Sequence, residues 1–140
     1  MQKQVEDILK ASIDNKELCL NTYYKGCYVY CIDSNRNCYE LKRETIINFE
    51  IASIGIVQKI NKGYSILCMF VTNPKFRRMG YARNLLTCIC EIYERINLKV
   101  RTSNESAINL YKSLGFKLGE RIENFYSYTD TPEDAYDMTR

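Results

Sequence analysis

The stretch FVTNPKFRRMGYARNLL, Phe70 to Leu86, sets the terms on which the rest of the chain is read. An unbroken apolar run of strand length, Ile66 to Val71, leads into it, and Asn73-Pro74 stops that run. From Tyr81 onward the apolar positions Leu85, Leu86, Ile89 and Ile92 recur at helical spacing. A strand therefore feeds a helix through a short loop. Between the two come Lys75, Arg77, Arg78 and Arg83 with no acidic residue among them, while Gly80 and Ala82 leave the loop backbone uncovered. Exposed amides at a helix start, ringed by arginines, suit a phosphate or pyrophosphate. The same residues would also suit a solvated basic turn before an ordinary amphipathic helix, because one glycine and one small residue make a weak motif alone.

Working outward, the chain of 140 residues suits a single domain, 1–140, with a sizeable core. A hydrophobic fraction of 46% and a charged fraction of 26% are those of an ordinary soluble globular protein. No apolar run approaches the roughly 20 residues that span a bilayer, and MQKQVEDILK lacks the apolar centre of a signal peptide. The expected compartment is the cytoplasm, with no membrane contact. A net charge of +3 is too small to point to nucleic acid. The seven cysteines, Cys19, Cys27, Cys31, Cys38, Cys68, Cys88 and Cys90, contain no C-x-x-C pair, and the chain has no histidine. Reduced thiols packed as small hydrophobes are expected, with no metal site and no cysteine–histidine catalysis.

In chain order, Val5, Ile8, Leu9, Ile13, Leu18 and Leu20 predict a helix over residues 2–20, with a break near Asp14-Asn15. Residues 26–32 and Cys38–Leu41 read as short strands around the turn-rich DSNRN at 33–37, and residues 42–48 resist assignment. Phe49–Ile60 and Tyr64–Val71 form an antiparallel hairpin about Asn61-Lys62-Gly63. The helix from Tyr81 runs to about Arg95 with Leu85, Leu86, Ile89, Ile92 and Tyr93 inward, and Asn97–Thr102 is a strand. Ser103 or Asn104 starts a second helix, with Ala107, Leu110, Tyr111 and Leu114 on one face and Gly115 at its end. Phe116–Ile122 and Asp134–Thr139 are the last strands, joined by the aromatic loop 123–133. Mixed strands and helices in one short chain make an α+β (α/β) domain.

Two motifs connect these elements to a known family. Arg77-Arg78-Met79-Gly80-Tyr81-Ala82 matches the Arg/Gln-x-x-Gly-x-Gly/Ala signature of the GNAT N-acetyltransferases. Asn104 to Phe116, NESAINLYKSLGF, matches the second signature of that family, N-x-x-A-x-x-L-Y-x-x-x-G-F, at every fixed position. The chain thus resembles a GNAT enzyme convincingly from Tyr64 to Met138, and by general layout before that. The resemblance implies a central mixed, V-shaped β-sheet flanked by helices, with acetyl-CoA as co-substrate in the opening and no metal. It implies a pyrophosphate seat at Arg77, Arg78, Met79, Gly80, Tyr81, Ala82 and Arg83. Pantetheine would pair with the backbone of Phe70, Val71 and Thr72 as an added strand. Asn104 would be a side-chain contact to the cofactor or a helix cap, roles that are compatible. Tyr111 would be the catalytic acid that protonates the departing thiolate, where its shared face with Leu110 and Leu114 alone would make it core.

The C-terminal run RIENFY, Arg121 to Tyr126, followed by TPEDAYDM, Thr131 to Met138, resembles the ending of the RimI-type N-terminal acetyltransferases, with Phe125 in place of a tyrosine. By that resemblance Asn124, Phe125 and Tyr126 bind the acceptor, the N-terminal α-amine of a protein or peptide, and the enzyme is a monomer or homodimer. One position departs from the pattern. RimI enzymes carry a glutamate, the proposed general base, where this chain has Lys99, and Glu50 and Tyr126 are the first alternatives to inspect. A small primary amine (polyamine, amino acid or drug) is the alternative acceptor, and a non-catalytic acyl-CoA-binding member is the third reading.

Overall fold

The computed structural model describes residues 27–42 and 44–140; the expected helix at residues 2–20 lies outside them. The described residues form a seven-stranded sheet in the order β2-β1-β3-β4-β5-β7-β6. Its strands are β1 (Tyr28–Asp33), β2 (Cys38–Leu41), β3 (Ile51–Asn61), β4 (Tyr64–Thr72), β5 (Ile96–Arg101), β6 (Lys117–Ile122) and β7 (Ala135–Thr139). Helix α1 (Tyr81–Ile92) connects β4 to β5, and α2 (Glu105–Ser113) connects β5 to β6. Among the described residues no helix is long and apolar enough to cross a membrane.

β3 supplies the spine. Its first seven residues, Ile51 to Val57, are all buried, because Ile51, Ile54 and Ile56 pack on one face and Ala52 and Val57 on the other before Gln58 carries the strand into solvent. Against one face lie Leu85, Leu86 and Ile89 of α1 and Ile108 and Tyr111 of α2, with Leu98 and Val100 of β5. Ile54 and Ile56 face the opposite way with Val29 and Cys31 of β1. Gly55 makes the close approach of α1 feasible: a Cβ there would lie 2.8 Å from Ile89 Cδ1 and 3.2 Å from Phe70 Cδ2.

Several boundaries differ from the sequence expectation for stated reasons. α1 stops at Ile92, and Tyr93 is already extended at φ −110°, ψ 131°. Ile96 must pair with Arg140 to start β5, so residues 93–95 are spent crossing back. Ile92 is consequently not inward but 57% exposed. Tyr93 reaches Tyr30 with its hydroxyl at 2.5 Å and its ring edge-on. β3 begins at Ile51 and not Phe49, because pairing with β1 starts at Asp33–Ile51. Phe116 precedes β6 and is buried against the Tyr111 ring, 5.6 Å away. On α2 the deepest residues are Ile108 and Tyr111, with Ala107, Leu110 and Leu114 half-buried around them.

The feature that positions the site is the parting of β4 from β5. They pair in parallel only at Ser65–Ile96, Ile66–Asn97 and Leu67–Leu98. Immediately after, β4 takes a bulge against β3: Ile56 pairs with Met69 and Val57 with Leu67, leaving Cys68 as the extra residue. A bulge bends its strand and increases local twist, which turns Met69 to Thr72 away from β5. β5 continues beside β7, with Lys99–Asp137 and Arg101–Ala135 in register, so the two central strands open into a V.

Candidate active site

At the end of β4, Asn73 fixes the exit. Its backbone N–H donates to Ala52 O at 2.7 Å and its Oδ1 accepts from Lys75 N at 3.1 Å, opening one 3₁₀ turn over Pro74–Phe76. The chain then reverses through two left-handed residues, Arg78 at φ 63° and Gly80 at φ 83°, and enters α1. No side chain caps the helix and its first turn holds no acidic residue. The amides at its start therefore point outward, partial positive charges without an intrahelical partner.

A residue that sequence reasoning passed over braces this loop. Arg36, in the β1–β2 turn, donates to Met79 O at 2.6 Å and to Asn84 Oδ1 at 2.5 Å. Its guanidinium stacks 4.2 Å from the centre of the Tyr81 ring. Tyr81 is itself buried, donating its hydroxyl to Ser34 O at 2.8 Å, so its backbone and not its phenol faces the loop. The turn that carries Arg36 is rigid because Asp33 accepts from Asn35 N and Asn37 N, both at 2.9 Å. Burial pushes the Asp33 carboxyl up, but the bonds from Asn37 and its neighbours outweigh it and hold the group below its ordinary range.

Beside the loop lies a cavity of about 860 Å³. Arg77, Arg78, Gly80, Tyr81, Ala82 and Arg83 line it from the loop, Phe70, Val71 and Thr72 from β4, and Asn104 and Tyr111 from α2. Two residues of the basic loop stretch, Met79 and Lys75, are elsewhere. Met79 is 55% exposed, with only its carbonyl engaged, by Arg36. Lys75 is paired with Glu50 at 2.8 Å, and neither lines a cavity of the V. Glu50 is accordingly removed from the candidate bases.

Through the V, a second cavity of about 430 Å³ opens between β4 and β5. Lys99 and Arg101 line it from β5, and Phe125, Tyr126 and Tyr128 from the β6–β7 loop. Phe70, Val71, Asn104 and Tyr111 line both cavities. Asn124 lines neither; at φ 52° it turns the chain, and its N–H donates to Asp134 Oδ1 at 2.8 Å.

Each shared side chain is held by its element. Asn104 caps α2, its Oδ1 accepting from Ala107 N at 3.3 Å. Tyr111, one turn before the helix ends, is 6% exposed and edge-on to Phe70. Among the described residues no group hydrogen-bonds its hydroxyl, a costly omission for a buried polar group and one that a ligand would repair. Burial, with a smaller contribution from Tyr126, pushes its ionisation well above the ordinary tyrosine range.

Arg101 anchors the aromatic loop. It donates to Thr131 O at 2.6 Å and Thr129 Oγ1 at 3.0 Å, and its guanidinium lies 4.2 Å from the centre of the Tyr126 ring. Glu133 accepts from Ser103 N at 2.9 Å. That contact with Ser103, more than the nearby Arg101, holds its carboxyl below its ordinary range. Lys99 Nζ donates to Asn97 Oδ1 and Asp137 Oδ1, both at 2.7 Å. Burial pushes Asp137 up, but the bonds from Lys99 and Asn97 prevail and leave it lowered.

Comparison with known proteins agrees with this geometry. The model of the acetyltransferase (GNAT) family matches residues 18–116. The [ribosomal protein bS18]-alanine N-acetyltransferase of Escherichia coli K12 is 31% identical over 105 residues, 68% of this chain and 71% of that protein. The crystal structure of the ribosomal-protein-S18-alanine N-acetyltransferase from E. coli superposes with a TM-score of 0.74 at 23% identity, over 98% of this chain and 84% of the other. A GNAT family acetyltransferase from Elizabethkingia anophelis with acetyl-CoA bound superposes at 0.73 and 17% identity, over 96% and 88%. At those identities the two structures speak for the fold alone.

Proposed function

The chain belongs to the GNAT family of acetyltransferases, and from that premise we propose that it transfers the acetyl group of acetyl-CoA to the α-amine of a protein or peptide N-terminus. The observation that carries the proposal is the meeting of two cavities through the V, with the buried Tyr111 on the wall of both. One side is built for an anion and the other for an acceptor. The E. coli relative, named for acetylating the alanine of a ribosomal protein, supplies the acceptor class.

On the donor side the open amides at the start of α1, with Arg77, Arg78 and Arg83 beside them, take the pyrophosphate. The edge of β4 that turns from β5 offers Phe70, Val71 and Thr72 to the pantetheine, as a sheet edge takes an added strand. Bound acetyl-CoA supplies the thioester. A backbone N–H near Val71 or Thr72 meets the charge that develops on the thioester oxygen, and Tyr111 gives a proton to the thiolate. Because Arg36 holds the loop through Met79 and Asn84, Arg36→Ala is expected to weaken acetyl-CoA binding roughly tenfold by calorimetry. The bonds are exposed and the melting temperature is expected to move little.

Among the described residues, no Asp or Glu lines the acceptor side. That disfavours a polyamine, whose charges would meet Lys99 and Arg101, and it leaves no ready general base. An α-amine with a pKa near 8 is already about one-tenth neutral at pH 7, whereas a lysine side chain is neutral to about one part in a thousand or less. The α-amine is therefore the acceptor that this wall can manage without a carboxylate. The test is CoA release with Ala- and Ser-starting peptides, polyamines and free amino acids. Peptide acetylation is expected; turnover confined to polyamines would overturn the proposal.

A further inference from the structure

Resting on the acetyl-transfer reading, we infer that Lys99 makes the acceptor side selective for amines that carry a carboxylate about one residue from the reacting nitrogen. The placement follows from strand alternation. Asn97, Lys99 and Arg101 share the face of β5 turned from the α1–α2 core, while Ile96, Leu98 and Val100 pack into that core. Lys99 and Arg101 line the acceptor cavity; Asp137 and Glu133, which pair with them at 2.7 Å and 3.5 Å, do not. Both ion pairs thus turn their cationic ends toward the acceptor.

The two cations differ in what they have left to give. Arg101 is spent on the 129–133 segment and the Tyr126 ring. Lys99 has three donors, of which Asn97 and Asp137 take two, and its side chain remains 28% exposed in a wall that, among the described residues, holds no carboxylate. The third donor is available to a carboxylate of the acceptor. Two other titratable groups on that wall are held in their neutral forms: burial pushes the Cys68 thiol and the Tyr111 hydroxyl above their ordinary ranges. The carboxylate can come from the side chain of the second residue of a peptide or from the α-carboxyl of a free amino acid.

The experiment compares Ala-Glu-, Ala-Gln- and Ala-Lys-starting peptides of otherwise one sequence, plus free amino acids, for wild type, Lys99→Met and Lys99→Glu. For wild type, kcat/KM is expected to be about tenfold higher for Ala-Glu than for Ala-Lys, carried mainly by KM, the ordinary size of one charge contact in a partly exposed site. Lys99→Met is expected to abolish the difference and Lys99→Glu to invert it. Turnover of free amino acids with none for peptides, lost in Lys99→Met, assigns the carboxylate to the α-carboxyl. A mere strut between β5 and β7 predicts that both variants slow every acceptor equally, and that result, or equal wild-type rates for the three peptides, overturns the inference while acetyl transfer stands. Calorimetric binding of the N-acetylated Ala-Glu and Ala-Lys peptides to the CoA complex reads the same preference without turnover. Equal affinities there overturn the inference whatever the rates.

Discussion

Gly80→Asp is expected to weaken acetyl-CoA binding by roughly 10²-fold or more while leaving the fold intact, measured by calorimetry beside a thermal melt. Gly80 occupies the N-cap position of α1 in the left-handed region, φ 83° and ψ 2°. A Cβ there would meet nothing closer than Arg36 Nη1 at 3.8 Å, so the substitution brings no clash. Its cost to folding is the left-handed backbone, about 1–2 kcal/mol, and that is offset because aspartate is among the best N-caps. The same carboxylate would accept from the amides that α1 leaves open and face the Arg36 guanidinium, filling the proposed anion seat from within the chain. Acetyl-CoA would then have to displace a tethered anion and meet a like charge. Gly80→Ala separates the two effects: it carries the backbone cost without the charge and is expected to lose affinity by less than about tenfold. If the aspartate variant binds acetyl-CoA as wild type does, the loop is not the pyrophosphate seat.

What could be read from the sequence and what could not divide along the range of the interactions. The strand, loop and helix around Gly80 are encoded within seventeen residues by apolar spacing, Asn73-Pro74 and an uncovered backbone, and the structure builds them there. The V itself was legible only through resemblance, because its cause is a bulge at Cys68 that exists only once β3 and β4 are in register. Arg36 was invisible for the same reason: DSNRN reads as a turn, and nothing local says that its arginine will grip Met79 and Asn84 more than forty residues on. Lys99 stood out as a departure from the motif, yet its meaning depends on Asp137, which only the β5–β7 register places opposite. Asn124 shows the converse. A motif match marked it as an acceptor contact, while its positive φ and its bond to Asp134 give it the work of turning the chain, so that Phe125 and Tyr126 reach the cavity wall.

Tyr111→Phe is expected to lower kcat roughly 10²-fold, the low end of general-acid contributions because a thiolate is a tolerable leaving group. KM for acetyl-CoA is expected to change little. The ring's neighbours, Phe70 at 6.4 Å and Phe116 at 5.6 Å between centroids, are served equally by phenylalanine. Only the hydroxyl is lost, and among the described residues that hydroxyl has no hydrogen-bond partner. A buried, unpartnered hydroxyl costs about 1–3 kcal/mol, so the variant is expected to melt at the same temperature as wild type or higher. A residue kept for packing would show the opposite pattern, with unchanged turnover. The pH dependence follows from the same burial. Because the hydroxyl's ionisation is raised, it keeps its proton as pH climbs past neutrality, and the proton-donating form is not depleted below about pH 10, where an ordinary tyrosine would begin to ionise. The wild-type kcat profile is therefore expected to show no falling limb from Tyr111 between pH 7 and about pH 10. A limb in that range that vanishes in the phenylalanine variant would mean that the hydroxyl titrates during turnover, and would exclude a Tyr111 held protonated by its surroundings.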